Sequence, residues 1–520
     1  MANPPSGGSA PASKSGAKPS ASPSSLYGWV RTAVLAALLA FALSAAPRAL
    51  RATHLAPAFV AGSLPPYSLY APLTAAVGAL DDLLRSLTPP NLYLWRHLMG
   101  HLHTSQLHVV ARLGVADALA AGAKTSLALA RELTPCAGAD AAGAAGCAAV
   151  ALRLTRLLRA TAAYGVFVES APETWSHTRV SRFLISAPAQ PASLRASALL
   201  FGGTQYASLA AAYDSVVTGE SSFVAAHGSE FWTYYEAHPA DHAVFDDTMR
   251  EIGALGGADT AIATDFLWGK YVKSGGTLVD VGGGLGDMLS QIMVVGAGGP
   301  VRSGVVFDLP SVTERSRRVW AEAQAAGGAP PAITPALARA APAQRRIALG
   351  KRVSFMPGSF FEAASIPTAL SIARARAADS GAAAALEACT APPVAYALRD
   401  IVHDWPDVDV VRMLGALGSA MRAPPTRVSN SNDFSGNSGP PKTCLSDRLM
   451  LVARLVQPGA GLVASQGTND ADYLMLANFG TTAGERTLDH FKALLAEARL
   501  KLESVQPLRG YYSVLVVRKA

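Results

Sequence analysis

The spacing of apolar residues in the first part of the chain predicts helices followed by a short hairpin. Leucine and valine recur at helical spacing from Leu94 to Leu119, and residues 126–133 and 150–163 repeat the pattern. A glycine turn then leads into two short strands, predicted over 164–169 and 175–178. Helices followed by a small hairpin form the pattern of a winged helix.

The pattern changes towards the C-terminus. Residues 199–268 predict further helices rich in aromatic side chains, and from about residue 271 short apolar runs alternate with helical segments. Such alternation is typical of a parallel sheet flanked by helices. Stretches rich in Ala, Pro, Gly and Ser at 322–346, 368–393 and 422–445 are predicted to be disordered insertions, because such long loops are uncommon inside compact domains.

The first 90 residues form an extension of different composition, predicted to be a disordered or targeting segment with a short apolar stretch. No acidic residue precedes Asp81, and an apolar run of 15 residues, Thr32–Ala46, lies between Arg31 and Arg48. A helix needs about 20 residues to span a bilayer, so this run is short. Enrichment in Arg, Ser and Ala without acids predicts a transit peptide for a plastid or mitochondrion. The alternatives are a secretory signal, a membrane anchor or a cytoplasmic protein, and membrane association is expected only through this segment.

The net charge of +7 belongs mostly to this extension. Five basic residues and no acidic residue precede Asp81, and the chain from Asp81 onward carries an excess of only two. The five are Lys14, Lys18, Arg31, Arg48 and Arg51. A nucleic-acid-binding protein concentrates positive charge on its folded domain, so the charge argues against nucleic acid as a partner.

The cysteines and histidines do not form a recognisable metal motif. The four cysteines are Cys136, Cys147, Cys389 and Cys444. They are widely scattered without a Cys-x-x-Cys pair, and we predict free thiols in a reducing compartment. The histidines between 97 and 108 have no acid or cysteine at ligand spacing, so no metal site is predicted.

A glycine-rich turn is the first motif that carries chemistry. A short apolar strand contains Asp280 and leads into Gly282, Gly284 and Gly286. The dinucleotide fingerprint requires a further glycine at 287, where this chain has Asp287, so a nicotinamide dehydrogenase is disfavoured. Asp-x-Gly-x-Gly-x-Gly is the first motif of S-adenosylmethionine (SAM) methyltransferases.

Further motifs in the same order extend the resemblance over about residues 92–519. They are Gly304–Pro310, Arg352–Glu362, Ala397–Asp407 and Asp472–Thr487. The chain resembles the small-molecule O-methyltransferases, which include plant caffeate and flavonoid enzymes and acetylserotonin O-methyltransferase. This resemblance implies an α/β fold: a Rossmann-like SAM methyltransferase sheet with an N-terminal, helical, winged-helix-like dimerisation domain.

The resemblance also implies a domain order. Residues 91–198 would form the dimerisation domain of a homodimer, and 199–270 a helical connector that contributes to the substrate pocket. Residues 271–520 would form the SAM-binding domain, interrupted by the three insertions.

The resemblance further assigns residues to the cofactor SAM. They are Asp280, Gly282, Gly284, Asp308, Ser359, Phe360 and Arg399. Asp308 is expected at the end of the second strand, where a carboxylate can accept both ribose hydroxyl protons. Ser359 departs from the family, which usually has Asp near the adenine, while Phe360 would remain as a wall of the adenine site.

The resemblance assigns catalysis to His403, with Glu485 and Asp404 as supporting residues. Phenols titrate near 10 and imidazole near 6.5, so a positioned histidine can take the proton as the methyl group is transferred. Glu485 would hold the imidazole and favour its charged form, and Asp404 would orient the site. A second family acid is missing, because the aligned position is Ala453.

The acceptor pocket is assigned to Phe245, Met249 and Met475. Aromatic and methionine side chains can grip flat apolar rings. Phe245 and Met249 are also four residues apart on a predicted helix, which plain core packing explains equally well.

The sequence therefore predicts a SAM-dependent O-methyltransferase that acts on a hydroxyl of a small aromatic or isoprenoid metabolite. Two alternatives stay open. One is a SAM-binding dimer with weakened catalysis and a regulatory role, motivated by Ser359, Ala453 and the insertions. The other is C-methylation of a tetrapyrrole.

Overall fold

A computed structural model of the chain describes residues 67–136, 141–186, 193–255, 258–272, 275–325, 352–379, 391–423, 446–457 and 462–520. The chain divides into two compact units, Met1–Ala61 and Gly62–Ala520, and all described residues belong to the second unit. The apolar run at 32–46 therefore lies outside the described residues. Within them, no helix is both long enough and apolar enough to cross a membrane.

The first half of the described chain is helical. Its helices are α1 (Tyr67–Leu87), α2 (Pro90–Leu98), α3 (Gly100–Leu113), α4 (Val115–Ala118), α5 (Ser126–Leu133), α6 (Ala141–Ala163), α7 (Arg195–Phe201), α8 (Thr204–Ala210), α9 (Ala212–Thr218), α10 (Ser222–His227), α11 (Phe231–Ala237), α12 (Pro239–Ala254), α13 (Ala258–Asp265) and α14 (Trp268–Tyr271). Its strands are β1 (Lys124–Thr125), β2 (Phe167–Ala171) and β3 (Thr174–His177).

The second half alternates strands with helices. Its helices are α15 (Asp287–Val295), α16 (Pro310–Ala325), α17 (Ala369–Asp379), α18 (Asp407–Ala420), α19 (Leu462–Phe479) and α20 (Leu488–Glu497). Its strands are β4 (Thr277–Val281), β5 (Gly304–Asp308), β6 (Val353–Pro357), β7 (Val394–Arg399), β8 (Arg448–Arg454), β9 (Leu500–Pro507) and β10 (Tyr512–Lys519).

The N-terminal part has the predicted helices and wing. Strands β1, β3 and β2 form a small antiparallel sheet in that order. Its core is apolar and includes Leu129, Leu158, Phe167 and Trp175. The indole Nε1 of the fully buried Trp175 donates to Ser126 Oγ at 2.9 Å, so the wing is fastened to the first turn of α5.

The large sheet confirms the predicted α/β class. Its order is β6-β5-β4-β7-β8-β10-β9, and all neighbours are parallel except β10, which runs antiparallel to β8 and β9. Every residue of β4 is buried because apolar clusters cover both faces of the sheet. The carboxyl ends of β4, β5, β7 and β8 therefore meet at one edge, and the predicted site residues follow these strands.

Two segments that the sequence predicted to be irregular contain helices. The stretch before residue 90 contains α1, since Leu69, Leu73, Leu80 and Leu84 recur at helical spacing despite the flanking Pro and Tyr residues. The second is α17, which lies inside the predicted insertion at 368–393. Burial of apolar side chains from its first turn holds α17 against the sheet. Most of the predicted insertions otherwise lie outside the described residues.

The prediction of free thiols is wrong for Cys136 and Cys147. These residues form a disulfide, and their Cα atoms are 5.0 Å apart. Packing of α5 against α6 brings together two cysteines only 11 residues apart in sequence. The remaining pair, Cys389 and Cys444, lies outside the described residues.

A buried ion pair joins the beginnings of β7 and β8 and yields a prediction about stability. Asp447 accepts hydrogen bonds from Val394 N at 2.8 Å and from Arg422 N and Nη2 at 2.9 and 2.7 Å. Asp447→Ala would leave Arg422 without its buried carboxylate. We expect the free energy of unfolding to fall by about 3–5 kcal/mol in urea denaturation.

The matched control is Asp489→Ala. The side chain of Asp489 is 89% exposed and, among the described residues, bonds to Lys492 at the surface, so its removal is expected to cost less than about 1 kcal/mol. Equal losses for the two variants would contradict the importance of the buried pair.

Candidate active site

The glycine turn after β4 packs against the protein on one side and is open on the other. Gly282 and Gly284 adopt left-handed φ angles of 66° and 53°, which glycine tolerates without strain. A Cβ on Gly282 would lie 2.5 Å from Ile401 Cδ1, whereas one on Gly284 would meet nothing within 4 Å. The turn therefore packs against the loop after β7 and leaves free space above Gly284.

Asp308 lies at the carboxyl end of β5, beside this space. Its carboxylate accepts hydrogen bonds from Gly284 N at 2.9 Å and Leu309 N at 2.7 Å, and burial raises its pKa. A carboxylate has about four acceptor positions, so two more donors can bind. The free space and this carboxylate fit the ribose hydroxyls of SAM.

Asp280 serves the turn differently. It is buried, and its Oδ2 accepts from Leu289 N at 3.3 Å in the first turn of α15. Burial raises the pKa of Asp280 to about 7. This hydrogen bond joins Asp280 to the helix that follows the glycine turn. Direct contact of Asp280 with SAM stays a prediction.

The other predicted cofactor residues lie around the same edge. Ser359 Oγ accepts from Phe361 N at 3.3 Å, and the ring of Phe360 lies edge-on to that of Trp405 at 5.9 Å. Arg399 forms a buried ion pair with Asp259. The contacts of Ser359, Phe360 and Arg399 with SAM remain predictions.

His403 follows β7 in a single 3₁₀ turn and lies between two carboxylates. Its Nδ1 lies 2.8 Å from Glu485 Oε1, and its Nε2 lies 3.3 Å from Asp404 Oδ1. Gly484 N also donates to the His403 carbonyl oxygen at 2.9 Å, so the two loops are joined through backbone as well as side chains. The structure thus brings together the three predicted catalytic residues.

The charges around His403 favour its protonated form. Burial lowers the pKa of His403, but the negative charges of Asp404, Glu485 and Asp400 outweigh burial and raise the pKa to about 9. Burial also raises the pKa of Asp404 to about 7. A neutral His403 with its proton on Nδ1 would keep Nε2 free to accept another proton.

Sequence reasoning missed Arg454, Asp400 and Tyr512. The side chain that bonds to Glu485 from β8 is that of Arg454, the residue after Ala453. Arg454 Nη1 lies 3.1 Å from Glu485 Oε1 and 3.5 Å from Asp400 Oδ1. Ala453 lines the cavity beside His403 and Glu485, and its alignment with the second family acid stays a prediction.

Asp400 itself has a rare backbone conformation. Its φ is 52°, in the left-handed region that residues other than glycine seldom adopt. Tyr512 Oη donates to Asp400 Oδ2 at 2.6 Å, and Arg454 approaches Oδ1. A signal was available, since polar residues at the carboxyl ends of adjacent parallel strands meet at one edge.

Helix α19 connects His403 to the predicted acceptor pocket. Asp472, Met475 and Phe479 share one face of this helix at positions i, i+3 and i+7. Asp472 Oδ1 accepts from Glu485 N at 2.8 Å, while the Phe479 ring lies 4.9 Å from that of Phe231. Met475, which is buried, therefore lies on the helix face that joins the catalytic loop to an aromatic cluster.

That aromatic cluster contains the other predicted acceptor residue, Phe245. Its ring lies 5.7 Å from those of both Phe231 and Trp232. The Trp232 Nε1 and Tyr235 Oη atoms are buried and have no hydrogen-bond partner among the described residues. Met249 follows Phe245 by one turn of α12 and is half-buried. Acceptor contact for Phe245, Met249 and Met475 stays a prediction.

Comparison with known families agrees with this geometry. Residues 95–187 match the O-methyltransferase dimerisation domain, and residues 206–329 match the O-methyltransferase domain.

Curated relatives match most of the chain. It is 25% identical over 455 residues to a mitomycin biosynthesis 6-O-methyltransferase of Streptomyces lavendulae, covering 86% of this chain and 97% of the relative. It is 27% identical over 430 residues to the phenazine O-methyltransferase PhzM of Lysobacter antibioticus, covering 83% and 96%. These relatives do not favour the regulatory or the tetrapyrrole alternative.

A solved structure, that of LaPhzM, has the same fold. It superposes with a TM-score of 0.60 at 24% identity, covering 83% of this chain and all of that one. The predicted Rossmann-like sheet with an N-terminal dimerisation domain is confirmed.

The prediction of a plastid or mitochondrial transit peptide is wrong. The two relatives described above come from bacteria, which have neither organelle, and one of them is named for mitomycin biosynthesis. An extension rich in Arg, Ser and Ala without acids is a composition that many sequences share, so composition alone was a poor guide.

The place of Asp308 yields a prediction about cofactor binding. Asp308→Ala removes the carboxylate expected to accept the ribose hydroxyls. Hydrogen bonds to charged groups contribute about 1.5–3 kcal/mol, so the Kd for SAM should rise about 10- to 100-fold in titration calorimetry. Asp214→Ala, at an exposed position on α9, is the control. An unchanged Kd for Asp308→Ala would contradict the assignment.

Proposed function

We propose that this chain, which belongs to the family of SAM-dependent small-molecule O-methyltransferases, methylates a phenolic hydroxyl with His403 as the general base. The observation that carries the proposal is the hydrogen bond of 2.8 Å between His403 Nδ1 and Glu485 Oε1. It lies next to the glycine turn, since Gly282 packs on Ile401, two residues before His403.

The proposed mechanism assigns one task to each polar group. Bound SAM supplies an electrophilic methyl group on a sulfonium. In neutral His403 the Nδ1–H donates a hydrogen bond to Glu485, so the lone pair of Nε2 can take the proton of the acceptor hydroxyl. Glu485 then stabilises the imidazolium, and Asp404, whose Oδ1 lies 3.3 Å from Nε2, orients the protonated ring. Alignment of acceptor and methyl group supplies much of the remaining rate advantage.

We propose a fused aromatic ring system as the acceptor. The cluster around Phe231, Trp232 and Phe245 offers edges and faces of aromatic rings for stacking. The names of the relatives point the same way, because one acts on a phenazine and another in mitomycin biosynthesis. The buried donors of Trp232 and Tyr235 would bind a carbonyl or ring nitrogen of such an acceptor.

A homodimer is part of the proposal. The dimerisation domain match begins at residue 95, and apolar side chains on α2 and α3 are exposed at this point of the chain. Trp95, Leu98 and Leu102 are among them. A second copy would cover these side chains, since contiguous exposed apolar patches mark interaction surfaces.

The test of the proposed function is methyl transfer from isotopically labelled SAM to hydroxyphenazine and other hydroxylated fused aromatics. His403→Gln should lower kcat about 100- to 10,000-fold, the usual contribution of a general base. The Kd for SAM should stay unchanged in the same variant. His490→Gln is the control, because His490 is an exposed histidine that bonds to Asp407. Full turnover by His403→Gln would contradict the assignment of His403 as the general base.

The raised pKa of His403 predicts the pH dependence. Below a pKa of about 9 the imidazole is mostly protonated and cannot accept a proton. The kcat/KM should therefore rise tenfold per pH unit up to about pH 9 and then level off. If this rise is set by His403, kcat/KM should level off at the same pH for two acceptors with different hydroxyl pKa values. A rate that is already maximal at pH 6 would contradict the account.

A further inference from the structure

The carboxylates around His403 have an arginine partner at the end of β8. Arg454 is the last residue of β8, and its side chain is 13% exposed. It brings a permanent positive charge beside Glu485, because a guanidinium stays protonated at any working pH.

Arg454 contacts three groups from three different elements. Its Nη1 lies 3.1 Å from Glu485 Oε1 and 3.5 Å from Asp400 Oδ1, and its Nη2 donates to Tyr512 Oη at 2.7 Å. Tyr512 Oη in turn donates to the other oxygen of Asp400 at 2.6 Å. The guanidinium therefore fixes both carboxylates, including the strained backbone position of Asp400.

Arg454 and His403 share one acceptor atom. Both donate to Glu485 Oε1, at 3.1 and 2.8 Å. The charge of Glu485 is divided between two cations, so it holds the imidazolium less strongly than a carboxylate with a single partner would. A nearby like charge also disfavours the imidazolium directly.

The charged groups near His403 come from every element packed around it. Its own turn contributes Asp404, the end of β7 contributes Arg399 and Asp400, the loop after α19 contributes Glu485, β8 contributes Arg454 and β10 contributes Tyr512. Without Arg454, the three carboxylates Asp400, Asp404 and Glu485 would face the imidazole, with Arg399 and Arg486 as further cations among the described residues. Arg399 is paired with Asp259 and Arg486 with Asp407, and Arg486 Nη1 also donates to Val402 O at 2.9 Å.

We propose that Arg454 is a positioning residue that holds Glu485 and Asp400 beside His403 and offsets their charge, so that His403 releases its proton at a lower pH than it would without this cation. The proposal deepens the proposed function and rests on it for the catalytic consequence. The base is tuned by the competition of Arg454 and His403 for one oxygen of Glu485.

The test is the pH profile of kcat with hydroxyphenazine in Arg454→Gln, Arg454→Met and Arg454→Lys. In Arg454→Gln and Arg454→Met the positive charge is lost, so the acid limb, the rise of kcat with pH, should move to higher pH by about one unit. At neutral pH these variants should be about tenfold slower and should recover at high pH. Arg454→Lys keeps the positive charge, so its acid limb should stay near that of the wild type.

The control is Arg448→Gln on the same strand. Arg448 lies at the other end of β8 and bonds to Glu503, so its loss should leave the limb in place. If Arg454→Gln does not bind SAM as the wild type does, Arg454→Met replaces it. A uniform loss of kcat at all pH values, or a limb that moves to lower pH, would overturn the proposal.

A second readout separates this proposal from the proposed function. The ring carbon of His403, labelled with ¹³C and assigned by its absence in His403→Asn, can be titrated by NMR without any acceptor. In Arg454→Gln the titration of the His403 imidazole should shift to higher pH by about one unit. If the His403 titration shifts but the wild type transfers no methyl group, the role of Arg454 is retained and the proposed function is refuted. If the titration does not shift, the proposed role of Arg454 is refuted.

Discussion

The site depends on the need to pair every charge that is buried at the carboxyl edge of the sheet. An unpaired buried charge costs several kcal/mol, so the elements that carry these charges must meet. Glu485 is 3% exposed and binds both His403 and Arg454. Its backbone N–H in turn binds Asp472 of α19. One carboxylate thus ties together the loop after β7, the end of β8 and the helix that leads to the aromatic cluster.

The same edge connects the cofactor side to the catalytic side. Gly282 leaves no room for a side chain next to Ile401, and Gly284 donates its N–H to Asp308. A ligand that binds above the glycine turn would therefore lie against the loop that carries His403. Close packing of these loops places acceptor and cofactor together, which is the main requirement of a direct methyl transfer.

The sequence was sufficient for the sheet, the glycine turn, Asp308 and the His403–Glu485 pair, because each follows a buried strand or belongs to a motif of fixed spacing. It was insufficient for Arg454, since the end of a strand decides which side chain points into the edge. The pairing of Cys136 with Cys147 depends on the packing of α5 against α6, which the spacing of the cysteines does not reveal. The transit peptide was inferred from composition, which carries little structural information.

The most direct measurement is a crystal structure of the protein with S-adenosylhomocysteine and hydroxyphenazine. The account predicts the ribose hydroxyls on Asp308 and the acceptor oxygen within about 3 Å of His403 Nε2, the reach of a general base. An acceptor oxygen far from His403, with the cofactor bound away from Gly282 and Gly284, would contradict it.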